Sequence, residues 1–276
     1  MMSEIKSFGI KLQSQPATAL DRAHEEIKVR GFAIIPDVLD AGQISEAKSR
    51  LDSVCARQVE EFGRENIEKI NELDTVRCPL VYDDFFLKLI TLPAVISLVR
   101  KVIGEYAILN LQNGIICHPN RPHHQASWHR DLTYQEFVIS KPLAISVLFA
   151  LDEFTEMSGA TWLVPGTHKQ ESIPSADYIL ANRVPALAKP GSVLFFDSML
   201  LHCTGDNRGS FIRRALNNYF TIPLLSQQIS LPQALQGKYS DQPELRRLLG
   251  YDSQPAASAM DWRQQRLDRI NSTLKK

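Results

Sequence analysis

The central part of this sequence, from residue 106 to about residue 222, consists of short segments rich in β-branched and aromatic residues. Clusters of proline, glycine and asparagine separate these segments. Many short strands divided by such turn residues are typical of an antiparallel sandwich or barrel, and this pattern constrains the fold more than any other feature. We predict strands at 106–117, 143–151, 160–164, 192–197 and 212–222.

Amphipathic helices are predicted on both sides of this β-rich part, because apolar residues there recur at helical spacing. Gly31, Gly63 and Gly104 follow three of these segments and are suited to end helices. The predicted helices are 17–30, 41–62, 84–91, 93–103, 245–250 and 260–270, with a short strand at 32–36. We therefore predict one domain over residues 1–276, with a helical part at 1–105, a β core at 106–222 and a second helical part at 223–276.

The composition is that of a folded globular protein without a strongly charged surface. Hydrophobic residues make up 44% and charged residues 22% of the 276 residues. The 31 basic residues balance 31 acidic ones. This balance provides no electrostatic reason to expect a nucleic acid or an anionic membrane as a partner.

The cysteines and the first residues indicate a cytoplasmic protein. The four cysteines contain no C-x-x-C pair, so we expect reduced thiols. The start, M-M-S-E-I-K-S, lacks the apolar region of a secretory signal. The longest apolar-dominated run, L-A-I-S-V-L-F-A-L at 143–151, is too short to cross a bilayer and is interpreted as a buried strand.

The segment S-W-H-R-D-L-T-Y, at 127–134, contains an imidazole and a carboxylate two positions apart. In an extended segment, residues i and i+2 point to the same side. His129 and Asp131 are therefore predicted to converge on one point, where they would supply two metal ligands. Taken alone, the pair is also compatible with a structural hydrogen bond between aspartate and histidine, and a catalytic metal needs a third ligand.

A third candidate ligand follows at the end of the apolar run G-S-V-L-F-F-D-S-M-L-L-H, where His202 is the last residue. Two histidines and one carboxylate form the ligand set of non-haem iron(II) oxygenases. This set leaves positions open for a co-substrate and O₂, whereas a structural zinc site is closed by four ligands. The sequence therefore predicts a catalytic iron site rather than a structural zinc site.

A co-substrate contact is predicted eleven residues after His202, at Arg213. A guanidinium is the group suited to hold a carboxylate through two hydrogen bonds. Thr204 could add a hydroxyl to the same carboxylate. A dicarboxylate bound to the metal at one end and to arginine at the other describes 2-oxoglutarate. Arg214 is the competing candidate, because strand alternation allows only one of the two arginines to face inward.

Four segments resemble, in the same order, segments of the phytanoyl-CoA dioxygenase family of iron(II)- and 2-oxoglutarate-dependent oxygenases. They are G-F-A-I-I-P-D-V-L at 31–39, W-H-R-D-L-T-Y at 128–134, S-G-A-T-W-L-V-P-G-T-H-K at 158–169 and H-C-T-G-D-N-R-G-S-F-I-R-R-A at 202–215. The resemblance extends over residues 30–222. An H-x-D segment alone is a weak signal, but four ordered segments with the family's spacing from histidine to arginine are specific.

The resemblance implies a jelly-roll core, also called a double-stranded β-helix, flanked by α-helices. It also implies Fe(II) as the metal, with 2-oxoglutarate and O₂ as co-substrates. Transferred position by position, it assigns the iron ligands as His129, Asp131 and His202, the 2-oxoglutarate contacts as Arg213 and Thr204, and a pocket residue near the co-substrate as Gln112.

Two residues depart from the family's pattern. Arg130 occupies the middle of the H-x-D segment, where an uncharged residue is common, and Trp162 replaces a smaller or aliphatic residue. Either departure could alter what fits the substrate pocket. Arg130 and Tyr134 are candidates for lining it, whereas Trp162 is interpreted as a packing residue. His168, in P-G-T-H-K, is interpreted as a turn or packing residue.

The resemblance implies hydroxylation of a small organic molecule, for example in secondary metabolism, with release of succinate and CO₂. Desaturation, epoxidation and cyclisation are alternatives that use the same site. Asp131 argues against halogenation, because the related halogenases carry a small residue at that position. Two other hypotheses are a jelly-roll binding protein without turnover and a metal-dependent enzyme of similar fold that does not use 2-oxoglutarate.

Overall fold

A computed structural model of the protein describes residues 5, 7–12, 14–121 and 123–274. Within these residues, six strands form one antiparallel sheet and three short strands form a second. In spatial order, the large sheet contains β1 (Phe32–Ile35), β7 (Val193–Asp197), β4 (Ala144–Ala150), β9 (Arg213–Thr221), β3 (Ile108–Cys117) and β2 (Thr75–Arg77). The small sheet contains β6 (Val184–Pro185), β5 (Trp162–Leu163) and β8 (His202–Cys203). Two antiparallel sheets with this crossed strand order form the predicted jelly-roll core.

Among the described residues, one α-helix precedes β1, five lie between β1 and β3, one lies between β5 and β6, and three follow β9. They are α1 (Ala19–Arg30), α2 (Ala41–Phe62), α3 (Arg64–Lys69), α4 (Pro79–Tyr82), α5 (Phe85–Ile90), α6 (Pro93–Ile103), α7 (Ala176–Asn182), α8 (Leu231–Ala234), α9 (Pro243–Leu248) and α10 (Ala259–Leu274). The long predicted helices and the five predicted β segments are confirmed. The sequence patterns missed several short elements, namely β2, β6, β8, α3, α4, α7 and α8, because segments of two to seven residues display little or no period.

Local sequence signals explain where the two long N-terminal helices begin and end. Thr18 and Asp40 cap α1 and α2, and each accepts a hydrogen bond from the backbone three residues later within a capping box. Gly31 follows α1 in the left-handed conformation, and Gly63 follows α2. These glycine and capping positions are the ones that the sequence marks most clearly.

The two faces of the large sheet are buried against different partners. One face packs on the helices through a core that includes Val147, Phe149 and Phe195. The other face packs toward the small sheet through a second core that includes Leu148, Phe196 and, from β5, Leu163. Adjacent residues of one strand therefore serve opposite cores, and the whole of β4 is buried. The candidate site lies on the face directed toward the small sheet.

None of the described helices is both long enough and apolar enough to cross a membrane.

Gly31 provides a test of the junction between α1 and β1. Its φ angle is +92°, and a Cβ atom there would lie 2.6 Å from Leu200 Cδ1 and 2.7 Å from His168 Nδ1. Gly166 has a similar φ of +82°, but a Cβ there would have no atom within 4 Å. Because both glycines have positive φ, each alanine variant should lose about 1–2 kcal/mol of unfolding free energy. Gly31→Ala should lose about 1–3 kcal/mol more, because it also overpacks the core.

Urea denaturation of the two variants measures this difference. Equal losses for Gly31→Ala and Gly166→Ala would show that the neighbours of Gly31 move aside without cost, contrary to this expectation.

Candidate active site

The backbone joins two of the predicted ligands directly. His129 and His202 form an isolated antiparallel bridge, in which each N–H donates to the other residue's carbonyl at 2.9 and 3.0 Å. The N–H of Asp131 donates to the carbonyl of Ser198 at 3.0 Å. The H-x-D segment is therefore attached along the chain leading into β8, which places all three side chains on one side of the barrel.

The three predicted ligand atoms converge. Asp131 Oδ1 lies 3.8 Å from His129 Nε2 and 3.7 Å from His202 Nε2. One ligand atom from each of the three residues lies within 4.8 Å of the others, and the imidazole centroids are 4.3 Å apart. The structure thus brings together the residues that the sequence pattern pairs, at a separation that one metal ion can bridge.

Hydrogen bonds on the far side of each imidazole determine which nitrogen is available. His129 Nδ1 lies 2.8 Å from the Ser127 carbonyl, and His202 Nδ1 lies 2.9 Å from the Leu200 carbonyl. A carbonyl only accepts, so Nδ1 carries the proton in both rings and donates. Each Nε2 is therefore left with a free lone pair directed at Asp131, as in metal-bound histidines.

Burial supports the neutral form of His202. Desolvation lowers its pKa, although the nearby Asp131 carboxylate opposes this effect. Metals bind neutral imidazole, so a low pKa favours the metal-binding form. Among the described residues, no fourth His, Cys, Asp or Glu joins the cluster. The site offers two nitrogen ligands and one oxygen ligand and leaves the coordination shell incomplete. This ligand set fits a catalytic Fe(II) ion.

Arg213 and Arg214 point in opposite directions, as strand alternation predicts. The Arg213 side chain is buried, donates from Nη2 to the Gly159 carbonyl at 2.8 Å, and packs over the Phe154 ring at 4.7 Å. Arg214 instead forms ion pairs with Asp52 and Asp152 on the other face. Of the two candidates, Arg213 is the inward one.

The Arg213 guanidinium lacks an acidic partner within the described part of the chain, and its buried Nε has no hydrogen-bond partner. A buried charge without a counter-charge is costly. A carboxylate ligand would remove that cost through charge-assisted hydrogen bonds. The arrangement therefore fits the distal carboxylate of 2-oxoglutarate.

Thr204 lies near Gly159, whose carbonyl accepts the hydrogen bond from Arg213. It is buried, and its N–H donates to the Gln125 carbonyl at 2.9 Å. The next residue, Gly205, packs so closely on Gly159 that a Cβ on Gly159 would lie 2.4 Å from the Gly205 carbonyl oxygen. This contact between two glycines brings the Gly159 carbonyl, and with it Arg213, next to the chain that follows His202.

Gln112 does not belong to this group, and its transfer to the co-substrate pocket needs correction. Its side chain accepts from the Leu80 N–H at 2.9 Å and donates to the Phe86 carbonyl at 3.3 Å and to Asn218 Oδ1 at 2.8 Å. In the strand register, Gln112 pairs with Asn218, which is five positions from Arg213 and therefore faces the opposite side. Gln112 fastens the helices to the outer face of the sheet.

The Arg130 side chain points away from the three candidate metal ligands and into the wall of the barrel. Its guanidinium donates to three backbone carbonyls, those of Thr167, Gln170 and Glu171, at 2.6–3.2 Å. Burial lowers the pKa of this guanidinium. Arg130 therefore ties the H-x-D segment to the 167–171 segment through backbone carbonyls.

The other departures and candidates also have structural explanations. Trp162 packs against the Arg183 guanidinium at 4.5 Å and precedes Leu163, which pairs with His202. Adjacent strand residues face opposite ways, so Trp162 faces away from the site. Tyr134 is 98% exposed. His168 is buried, and desolvation lowers its pKa to about 4, as expected of a packing residue.

Three site residues escaped the sequence analysis. Ser146 and Ser198 are fully buried, and Tyr219 pairs directly with Ser146 across β4 and β9. The Ser146 hydroxyl donates to Asp131 Oδ2. Burial and the Asp131 charge raise the pKa of Tyr219. The sequence did contain a signal for Ser146, which is the serine within the apolar run 143–151. A polar group buried in such a run needs a hydrogen-bond partner.

A cavity of about 580 Å³ lies against His129. Its walls come from two segments of the chain, 129–136 and 171–173. These are the segments that Arg130 joins, so the shape of this cavity depends on the Arg130 hydrogen bonds.

Replacing Arg130 with methionine tests this role. Arg130→Met keeps the apolar stem but leaves three carbonyls without their donor. We expect the free energy of unfolding to fall by roughly 3 kcal/mol, because hydrogen bonds to charged groups contribute more than neutral ones. Urea denaturation measures the loss, and Arg22→Met, at an exposed position of α1, is the matched control. Equal stability of the two variants would contradict this account of Arg130.

Comparison with known proteins agrees with this geometry. The phytanoyl-CoA dioxygenase (PhyH) family model matches residues 27–215, which is more than half of the chain. An uncharacterized protein of Mycobacterium tuberculosis is 34% identical over 229 residues, covering 82% of this chain and 84% of that protein. Dioxygenase af480 of Aspergillus fumigatus is 26% identical over 247 residues, covering 83% of this chain and 76% of that protein.

Solved structures share the fold at low sequence identity. The epimerase SnoN in complex with Fe³⁺, alpha ketoglutarate and nogalamycin RO matches with a TM-score of 0.58 and 18% identity, covering 74% of this chain and 83% of that one. AviO1 from Streptomyces viridochromogenes matches with a TM-score of 0.57 and 21% identity, covering 76% of this chain and 96% of that one.

Proposed function

The chain belongs to the phytanoyl-CoA dioxygenase family and is a non-haem iron, 2-oxoglutarate-dependent dioxygenase, and from this premise we propose that it hydroxylates a small organic molecule. In this reaction one atom of O₂ enters a C–H bond of the substrate. The other oxygen atom enters succinate as 2-oxoglutarate loses CO₂. The convergence of His129 Nε2, Asp131 Oδ1 and His202 Nε2 is the single observation that supports the proposal most.

Each ligand residue has a defined part in this proposal. His129 and His202 would hold iron through Nε2, and Asp131 would hold it through Oδ1. Fe(II) held by these residues would supply the activation of O₂ that the reaction needs. The protein contributes the tautomer of each imidazole, through the Ser127 and Leu200 carbonyls.

Arg213 would bind the distal carboxylate of 2-oxoglutarate, with Thr204 adding a hydroxyl. The support is the burial of the Arg213 guanidinium, its free Nε and the absence of an acidic partner among the described residues. The Gly159 carbonyl uses one N–H of the guanidinium and orients the rest. Phe154, beneath the guanidinium, limits its movement.

The cavity beside His129 would admit the substrate. Its volume of about 580 Å³ is within the range of small-molecule sites. The SnoN structure contains a small molecule, nogalamycin RO, together with alpha ketoglutarate, which supports a small-molecule substrate for this chain, in secondary metabolism for example.

Other outcomes of the same chemistry are the second candidate function. Desaturation, epoxidation and cyclisation use the same cofactor and co-substrates and differ in how the substrate is placed. The structural neighbour SnoN is an epimerase, which is a reason to analyse the products rather than assume hydroxylation. Asp131 favours these outcomes over halogenation, because it occupies the position that is a small residue in the related halogenases.

The ligand assignment is tested by metal binding and turnover. We expect wild-type protein to bind about one Fe(II), to develop a visible absorption band with 2-oxoglutarate in the absence of air, and to form succinate once air is admitted. His202→Ala and Asp131→Ala should lose the band and the succinate, because two ligands do not hold iron in place. A protein that forms neither band nor succinate would be a binding protein of this fold.

Arg213 is tested against its neighbour. Arg213→Ala should weaken 2-oxoglutarate binding at least about a hundredfold, because breaking a buried ion pair costs several kcal/mol. Titration of the anaerobic absorption band measures this affinity. Arg214→Ala, on the opposite face of the same strand, is the matched control and should keep wild-type affinity. Full activity of Arg213→Ala without 2-oxoglutarate would instead identify a metal-dependent enzyme that does not use this co-substrate.

A further inference from the structure

The two oxygens of Asp131 have different partners. Oδ1 faces His129 Nε2 and His202 Nε2. Oδ2 accepts a hydrogen bond from the Ser146 hydroxyl. A carboxylate with two free oxygens can bind a metal through one or both of them, whereas here one oxygen is already engaged by the protein.

Ser146 is held in place by the most buried part of the large sheet. It is fully buried in β4, between Phe196 of β7 and Tyr219 of β9. A hydroxyl at such a position needs a partner, and Asp131 provides it. The rigidity of a central strand therefore determines where Asp131 Oδ2 lies.

Ser198 supports the same carboxylate from the other direction. Its carbonyl accepts the N–H groups of Asp131 and Leu132 at 3.0 and 3.3 Å. Its hydroxyl lies 3.5 Å from the Ser146 hydroxyl. Ser198 thus holds the backbone of Asp131, and Ser146 holds its side chain. These two attachments leave the carboxylate little freedom to rotate.

We propose that Ser146 is a positioning residue that keeps Asp131 a one-oxygen ligand. This inference rests on the proposed function, in which the two histidines and Asp131 bind the metal. If Oδ2 also bound the metal, it would take one of the positions that 2-oxoglutarate and O₂ require. The hydrogen bond from Ser146 makes that binding mode unfavourable, because Oδ2 would have to give up its hydrogen bond from a buried donor.

Cobalt(II) binding to the metal-free protein tests this role without turnover, since the d–d absorption of Co(II) reports its coordination. Ser146→Ala removes the hydroxyl. Ser146→Cys keeps nearly the same volume but is a weak donor. We expect both variants to bind Co(II) about 10–100-fold more weakly than wild type, as is typical for loss of a residue that orients a ligand. Both should also show an altered Co(II) spectrum.

Ser192→Ala is the matched control, because Ser192 is a buried serine just before β7, at the opposite end of that strand from Ser198. It should keep wild-type Co(II) affinity and spectrum. Urea denaturation of all three variants measures any general loss of stability, which would not by itself change the Co(II) spectrum of the folded protein.

Three outcomes would overturn the role of Ser146. Wild-type Co(II) affinity and spectrum in Ser146→Ala would show that the hydroxyl is not needed. Wild-type behaviour in Ser146→Cys alone would show that the volume of the side chain matters and its hydrogen bond does not. An equal change in Ser192→Ala would show that the effect is not specific to the contact between Ser146 and Asp131. Failure of wild-type protein to bind Co(II) would instead contradict the proposed function.

Discussion

The mutual backbone hydrogen bonds of His129 and His202 are the constraint on which the site depends. They join two parts of the chain that are far apart in sequence as a single antiparallel pair. Paired residues project to the same face, so the two imidazoles meet without any further adjustment. A slip of one residue would turn one imidazole to the opposite face and separate it from Asp131.

The large sheet divides the structural and chemical roles of the chain between its two faces. On the outer face, Gln112 and Asn218 fasten helices to the sheet. On the inner face, Arg213 and Ser146 face the site. Because the side chains alternate, one strand contributes to both faces, as Arg213 and Arg214 illustrate with their different partners. The large sheet therefore positions Arg213 and Ser146, whereas the three candidate ligands lie on β8 and on the H-x-D segment.

Much of the fold and the candidate ligands could be predicted from the sequence. The long helices have strong periodicity and clear capping residues, and the β segments are separated by turn residues, so both were found close to their observed bounds. The candidate ligands could be found because a histidine and an aspartate lie two positions apart and a second histidine ends a later apolar run. In contrast, β3 and β4 are buried at every position, so no alternation of polar and apolar residues indicates which face a given side chain occupies. The register of β3 also shifts between Leu109 and Leu111, which a sequence pattern does not reveal.

The sequence by itself determined which residues can supply the chemistry: two histidines, a carboxylate and an arginine, in an order and spacing that few folds accommodate. Only the tertiary structure decided what their neighbours do. It turned Gln112 outward, directed Arg130 to three backbone carbonyls and placed Ser146 on Asp131 Oδ2. The physical reason is that the direction of a fully buried side chain depends on register and on partners distant in sequence, which local patterns do not contain.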